Sequence, residues 1–502
     1  MIYNVLTYLE ESVKRVPDKL CIIEENTSCT YLQFHKKCLQ AATGLTAYVK
    51  PNTPVIVYMD KGIEALVSFF SILYAGGFYA LVNVDYPKER VSNIVGVLEG
   101  TVVITNNAYF EQAQKMFESV TILNIEDLEN TEANEAALAR IRARKIDTDP
   151  VYVNFTSGST GVPKGIVVSH RSIIDFIEVF TDLFHITEED ILANQAPFDF
   201  DVSVKDIYSA FKTGATLVIV PKRLFTKPAA LCDFLCDHKI TTMIWAVSAL
   251  CLMSTFHALE YRVPTTVNKI LFSGEVMPYK HLKIWQTYLP DVMYVNLYGP
   301  TEITCNCTYH ILEKDRDYSE GLPIGIPFPN EDVFLLDDKN TIITDKDIEG
   351  EICVRGTALA LGYYNLEGQN NAFIHNPLHN HYPERIYKTH DLGKYNDRGE
   401  LMFCGRKDFQ IKYQGHRIEL EEIEKAMLEV SGVLQCRCVF DQKREKLKAF
   451  YVGDIDRKDL HKKLKEKLPT FMIPGRITQL EELPMTKNGK IDRQALLSMN
   501  RR

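Results

Sequence analysis

A layered α/β fold with a large N-terminal portion and a small C-terminal α+β domain is predicted by three features of the sequence. Short β-branched runs alternate with helical periods (55–59 then 63–74, 101–105 then 109–117, 216–220 then 229–237), the spacing of strand–helix units in parallel sheets. Near residue 405 the texture changes. A strand pair at 409–417 is followed by a charged amphipathic helix at 419–429, strands at 435–441 and 446–452, and a Lys-rich helix at 457–468. The chain is also 502 residues long, more than one core holds at about 100–200 residues per domain. These features divide it into a core over 1–405, a hinge at 406–408 and a domain over 409–502.

Composition narrows the function. A content of 46% hydrophobic and 25% charged residues excludes fibrous and disordered classes. A net charge of −9 argues against nucleic acid as a partner, because phosphate neutralisation needs a dominant basic surface. The charge is uneven: residues 442–502 hold 16 Lys and Arg against 8 Asp and Glu, so the first 441 residues are strongly acidic. The 12 cysteines are scattered, and the close pairs Cys232/Cys236, Cys305/Cys307 and Cys436/Cys438 lack a second metal-spaced pair. Reduced thiols in a cytoplasmic protein are the simplest reading. Acidic residues occupy the N-terminus where a signal peptide needs an apolar core. Residues 65–82 carry no charge, but Ser68, Ser71 and Gly76-Gly77 interrupt them, which favours a buried helix and a following strand over a membrane span.

The most informative stretch is an apolar strand, Tyr152-Val153-Asn154-Phe155, running into Thr156-Ser157-Gly158-Ser159-Thr160-Gly161-Val162-Pro163-Lys164-Gly165 and then a second strand. Glycines allow close backbone approach, so successive N–H groups and hydroxyls can surround phosphate oxygens. It is not a P-loop, since Lys164 is followed by Gly165 and leads to no helix N-terminus. Downstream, Asn296-Leu297-Tyr298-Gly299-Pro300-Thr301-Glu302 follows a strand at 292–295. Its ring can stack on a nucleobase while the hydroxyl and carboxylate meet phosphate and Mg²⁺, or the run is a turn and helix cap. An Asp within Tyr387-Lys388-Thr389-His390-Asp391-Leu392-Gly393, read as a loop, can accept two ribose hydroxyls.

The loop resembles the signature of the adenylate-forming superfamily, which includes acyl-CoA synthetases, luciferases and the adenylation domains of nonribosomal peptide synthetases. Further motifs recur in order, from Thr30-Tyr31 through Leu73-Tyr74-Ala75-Gly76-Gly77 to Asn488-Gly489-Lys490. The block from Phe198 to Tyr208 and residues 405–422 are most similar to amino-acid-activating members, especially stand-alone D-alanine–carrier protein ligases. The resemblance implies the adenylate-forming enzyme fold with a mobile small domain, and ATP and Mg²⁺ as cofactors. It implies a site in which Thr156, Ser157, Gly158, Ser159, Thr160, Gly161 and Lys164 hold phosphates and Asn296 and Tyr298 frame adenine. Thr301 would contact the α-phosphate, Glu302 would hold Mg²⁺, and Asp391 and Arg406 would hold the ribose. Gly274, Glu275, Leu297, Gly299, Pro300 and Phe403 would complete the nucleotide site. Lys490 would be the catalytic lysine. His390 stands where similar proteins usually have Gly.

The same resemblance places Asp201 on a substrate ammonium, and the physical argument agrees, because a buried carboxylate without a cation is expensive. The remaining pocket wall would be Val202, Lys205, Ile244, Leu271, Ser273, Leu297, Cys305 and Asn306. D-alanine ligases place apolar residues or Cys where this chain has Lys205, Ser273 and Asn306. Serine would gain a partner in Ser273 and an acidic side chain one in Lys205, unless Lys205 snorkels outward. D-alanine, serine and an acidic residue therefore stand as substrates. Rotation about Asp408 would bring Lys412 and Gly415 to a pantetheine arm. The chain stops twelve residues after Lys490, so an acidic carrier protein acting in trans is the expected partner. An acyl- or aryl-CoA synthetase and an inactive nucleotide-binding regulator are the alternatives.

Overall fold

The computed structural model describes residues 2–158, 162–365, 372–413, 415–442, 444–485 and 491–499. Two mixed sheets build the large portion. One has nine strands, with Met293–Tyr298, Lys269–Ser273, Thr242–Ala246, Ile191–Asn194, Thr216–Ile219 and Leu20–Glu24 running parallel through its centre. The other has seven, with Pro150–Thr156, Phe78–Leu81, Pro54–Val57, Val102–Thr105 and Thr121–Asn124 parallel and Lys164–Ser169 antiparallel to Pro150–Thr156. The main core lies between the sheets. Helices Tyr31–Leu45, Ile63–Tyr74 and Val202–Thr213 contribute Tyr31, Phe34, Phe70, Tyr208 and Phe211 to it.

Period-two alternation explains how the second sheet is buried on both faces. Val55, Val57, Val102 and Ile104 face the main core, while Ile56 and Val103 face a second cluster with Val91, Ile94 and Leu98. Thr30 caps helix Tyr31–Leu45 in a reciprocal box with Gln33, and the Tyr31 hydroxyl donates to the carbonyls of Ala210 and Ala215. The Thr30-Tyr31 motif is therefore structural. The uncharged run at 65–82 resolves into helix Ile63–Tyr74 and strand Phe78–Leu81, and no helix among the described residues is long and apolar enough to cross a membrane. All twelve cysteines are free thiols.

Two expectations need correction. The sheets are not all parallel: Glu331–Leu336, Gly350–Gly356, Arg385–Tyr395 and Leu401–Arg406 belong to a third, antiparallel sheet. Asp391 is therefore in a strand, not a loop, and is 1% exposed.

The C-terminal portion joins a two-stranded hairpin, Gln410–Tyr413 with His416–Glu419, to the three-stranded sheet Val433–Asp441, Lys446–Gly453, Arg476–Gln479. Helices Leu420–Leu428 and Arg457–Lys467 bury Ile423, Met427, Leu460 and Leu464 in this domain's own core.

Candidate active site

The phosphate-type loop connects two antiparallel strands, with Thr156 paired to Lys164 across the ladder. Gly158 is required by space: a Cβ there would lie 2.1 Å from the carbonyl oxygen of Val162. Ser159, Thr160 and Gly161 lie outside the described residues. The polar groups on the loop's first limb meet the C-terminal domain. Ser157 Oγ donates to the Arg417 carbonyl at 2.8 Å and accepts from Glu419 N–H at 3.0 Å, and Gly158 N–H donates to Glu422 Oε2 at 3.1 Å. Lys164 Nζ lies 5.7 Å from the centre of the Tyr363 ring.

Across from the loop, strand Met293–Tyr298 carries Asn296, Leu297 and Tyr298 to the sheet's edge; the strand extends three residues beyond the expected 292–295. Gly299 permits the following turn to pack on the chain ahead, since a Cβ would stand 2.4 Å from Asn306 Cα. Pro300 precedes a single 3-10 turn, Thr301–Ile303, rather than a capped α-helix. The Tyr298 hydroxyl donates to Asp391 Oδ2 at 2.6 Å, Arg406 pairs with Asp391 Oδ1, and Phe403 stands 6.3 Å from the Tyr298 ring. The expected ribose residues thus meet Tyr298, while Asn296, two residues before it on the same strand, donates its amide to the Pro323 carbonyl. His390, at φ 59°, adopts the left-handed conformation that a glycine would take freely.

Glu302 is 1% exposed. Burial opposes its ionisation, but Arg417 at 2.7 Å and the Tyr363 hydroxyl at 2.9 Å hold its carboxyl below the usual range. Arg417 arrives on the hairpin with Lys412, whose Nζ lies 5.6 Å from the Tyr298 ring centre, and Gly415 N–H donates to Glu275 Oε1 at 3.0 Å. Lys412 and Arg417 sit directly opposite each other across the hairpin. Like charges in that register are destabilising, so the hairpin needs acids facing it. Arg417 was not foreseen, and this cross-strand pair of cations was the signal for it. Beyond the hairpin, Asp408 accepts two hydrogen bonds from Arg406, at 2.7 and 2.9 Å. Lys490 lies outside the described residues; its neighbours Leu483 and Ile491 pack with Val439, Phe450 and Leu496 of the small domain.

The residues expected to line the amino-acid pocket come from neighbouring parallel strands, the turn after Met293–Tyr298 and the start of helix Val202–Thr213. Ile244, Leu271, Leu297 and Cys305 are buried in the main core. Asp201 and Val202 start helix Val202–Thr213, with Lys205 one turn further on. Lys205 does not snorkel outward: it is 0% exposed and donates to Asn306 Oδ1 at 2.7 Å and Ser273 Oγ at 3.3 Å. Loss of hydration pushes the Asp201 carboxyl up, against a Thr301 hydrogen bond and the charges of Lys205 and Lys412. Asp206, which the sequence reading missed, is pushed up to about 7 by burial and receives a 2.8 Å bond from the Asn194 amide.

This two-part architecture, with a nucleotide-type site at the junction of its sheets and a small domain closing over it, defines the adenylate-forming class. The chain belongs to the AMP-binding enzyme family: the family's model matches residues 9–364, and the AMP-binding enzyme C-terminal domain matches 422–490. It is 32% identical to zwittermicin A synthase ZmaJ of Bacillus cereus over 97% of this chain and 93% of that one. It is 31% identical to gramicidin S synthase 2 of Brevibacillus brevis, again over 97% of this chain, but spans only 11% of that protein. Among solved structures it is similar to IdnL1 (25% identical, TM-score 0.83, 96% of this chain and 99% of that one). The fold is shared with the Vibrio cholerae adenylation domain AlmE, determined in complex with glycyl-adenosine-5'-phosphate (20% identical, TM-score 0.85, 99% and 97%).

Proposed function

We propose that this chain activates an amino acid as its aminoacyl-adenylate and transfers it to the phosphopantetheine thiol of a separate carrier protein. The observation that carries the reading is the pocket pairing of Asp201 with a polar floor. A desolvated carboxylate at the first turn of helix Val202–Thr213 suits a substrate ammonium, while Lys205, Ser273 and Asn306 suit a short polar side chain. That floor favours serine or an acidic amino acid over D-alanine. The synthase relatives and the glycyl-adenylate seen in AlmE support the amino-acid class over acyl- or aryl-acid activation.

In the first half-reaction a carboxylate oxygen of the amino acid attacks the α-phosphorus of ATP, the bond to the β-phosphate oxygen breaks, and pyrophosphate leaves. Thr301 meets the α-phosphate, Tyr298, Asp391 and Arg406 orient the nucleoside, and Lys490 compensates charge in the transition state. The ionised carboxyl of Glu302 fits Mg²⁺, which is bound by one or two carboxylates together with substrate phosphates and would neutralise phosphate charge. In the second half-reaction the thiol sulfur attacks the carbonyl carbon, the bond from that carbon to the phosphate oxygen breaks, AMP leaves with the oxygen and its electron pair, and the thiol proton goes to solvent. The docked hairpin with Lys412 and Gly415 suits this step.

The carrier is expected to be acidic. Arg457, Lys458, Lys462, Lys463 and Lys465 are exposed on helix Arg457–Lys467, a basic face that would steer such a partner. Amino-acid-dependent exchange of labelled pyrophosphate into ATP, run over D- and L-amino acids and simple carboxylic acids, tests the reading. Exchange with a small polar amino acid supports it, and exchange only with acids lacking an amino group overturns it.

A further inference from the structure

Behind the pocket floor, a second line of polar groups runs from Lys205 to the half-buried Lys61. Asp206 follows Lys205 on helix Val202–Thr213, and both are 0% exposed. Consecutive residues on a helix point about 100° apart. Lys205 accordingly meets Ser273 and Asn306, while Asp206 meets Asn194, the last residue of strand Ile191–Asn194. The Asn194 amide is fixed from its other side, where Lys61 Nζ donates to Asn194 Oδ1 at 3.0 Å and to the Asn194 and Gln195 carbonyls at 3.2 and 2.9 Å. An ammonium only donates, so it takes the amide oxygen and turns the NH₂ group toward Asp206 Oδ2, which accepts at 2.8 Å. Asp206 therefore meets a donor, the arrangement that favours a carboxylate over a carboxylic acid. Its Oδ1 is buried with no hydrogen-bond partner among the described residues, so the charges of Lys205 and Lys61 are what stabilise that oxygen. Burial alone opposes both charges of the pair, pushing Asp206 up and Lys205 down, and each ionised partner draws the other back.

Substrate binding changes who compensates Lys205. Asp201 and Asp206 are the carboxylates that act on it, and burial pushes the Cys305 thiol up, so that neighbour adds no charge. A substrate ammonium would take Asp201, which leaves Asp206 as the partner of Lys205. An uncharged side chain keeps that pair intact, and a hydroxyl can accept from the ammonium. An acidic side chain brings a second carboxylate to one ammonium and leaves a buried charge uncompensated, which is costly.

We infer that Asp206 is a positioning residue for substrate choice: as the ion partner of Lys205 behind the pocket wall, it excludes acidic side chains and restricts the site to uncharged ones of serine's class. The inference rests on the adenylation reading for the place of the substrate ammonium on Asp201.

Pyrophosphate exchange with the full chain, comparing serine with aspartate and glutamate as D- and L-isomers, reads the preference as a ratio of kcat/KM. The unaltered protein should prefer serine by about tenfold or more, because the acid leaves a charge uncompensated. Asp206→Asn should lower that ratio about tenfold or more, the scale of a bond to a charged group, whereas Asp206→Glu, which keeps the charge, should hold it within about threefold. Adding Lys205→Met to Asp206→Asn should abolish the shift toward acids. An acidic amino acid preferred by the unaltered protein overturns the inference, as does a ratio blind to Asp206→Asn or a shift that survives Lys205→Met. Thermal unfolding without substrate supplies a readout independent of activity: the double variant should lose less than the sum of Lys205→Met and Asp206→Asn, and should recover the fold if Asp206→Asn alone unfolds. Additive losses overturn the pair. The two ideas fail separately. Exchange with amino acids that favours an acidic one sinks this inference alone. Exchange confined to hydroxypropanoate and succinate, the same side chains without the amino group, sinks the ligase reading, while a hydroxypropanoate preference that is lost in Asp206→Asn still upholds the pair.

Discussion

Lys205 and Glu302 are both buried charges in the large domain, but they are neutralised from different places. Lys205 is held by Asn306, Ser273 and the nearby carboxylates of Asp201 and Asp206, all in the same domain. Glu302 is held by Arg417 and the loop N–H of Gly158 is held against Glu422, both from the small domain. The first set of partners is fixed once the large domain has folded. On the proposed reading the second is exchangeable, since a group whose partner belongs to a moving domain can pass to phosphate or metal when that domain leaves. The residues proposed to recognise the side chain thus sit in the fixed region, and the groups proposed to meet phosphate and Mg²⁺ sit in the exchangeable one.

The strongest way to break this contrast is Lys205→Met. Removing one partner of a buried ionic set leaves uncompensated charge, an effect of about 3–5 kcal/mol. Thermal unfolding should fall accordingly and the amino-acid exchange profile should change. An unaltered profile would remove Lys205 from the pocket, and an unaltered midpoint would mean its charge is not held as the geometry implies.

Arg417→Met and Glu302→Gln sharpen the other side. Losing the cross-domain ion pair should reduce transfer to the carrier thiol by about tenfold or more, the scale of a charge-assisted bond, while leaving pyrophosphate exchange within about threefold. Glu302→Gln should depress exchange itself. Equal losses in both half-reactions for Arg417→Met would show that Arg417 serves more than docking.

A pH effect of smaller size is expected at the same interface. His416 lies between Phe471 (ring centres 3.5 Å apart, stacked) and Phe200 (4.7 Å), and burial with nearby Arg90 and Lys222 lowers it to about 3 from 6.5. Undocked, it loses Phe200, Arg90 and Lys222 of the large domain and takes up a proton more readily than the docked form. Docking therefore weakens as pH falls into the range where the undocked imidazole protonates, by up to about 1.4 kcal/mol per pH unit. Glu422, raised by burial, acts in the opposite sense. The difference between the unaltered protein and His416→Phe in interdomain distance, followed by fluorescence transfer between labels on the two domains from pH 7.5 to 5.5, isolates the histidine. A difference independent of pH would contradict its burial on docking.

The same contrast explains what the sequence revealed. Helix Ile63–Tyr74 and strand Pro150–Thr156 were legible because their apolar residues are contiguous and buried on all sides. The antiparallel third sheet was not, since Arg385–Tyr395 interleaves polar residues, Glu331–Leu336 offers only a short apolar run after two acids, and the strands are linked by Asp-, Asn- and Gly-rich turns without helical periods. Within the site, Asp391, Tyr298 and Glu302 stood out by local motif. Whether Lys205 faces water or the core depends on Ser273 and Asn306, 68 and 101 residues away, and the partner of Glu302 lies 115 residues away. No local pattern encodes such pairings.

The smallest expected effect checks that docking rests on the buried contacts. Lys467 Nζ lies 3.4 Å from Glu89 of the large domain and 2.8 Å from Glu429 of its own, and its side chain is 25% exposed. A solvent-accessible pair gains little because water and salt screen it, so Lys467→Ala or Glu89→Ala should shift the docking equilibrium by less than about 1 kcal/mol. The shift should fade as ionic strength rises toward about 1 M, where the screening length shrinks to about 3 Å. Arg417→Met should keep its effect under the same salt, because its partner Glu302 is buried. If Lys467→Ala undocks the domain as fully as Arg417→Met, the interface is held by its exposed rim, and the division between fixed and exchangeable charges loses its physical basis.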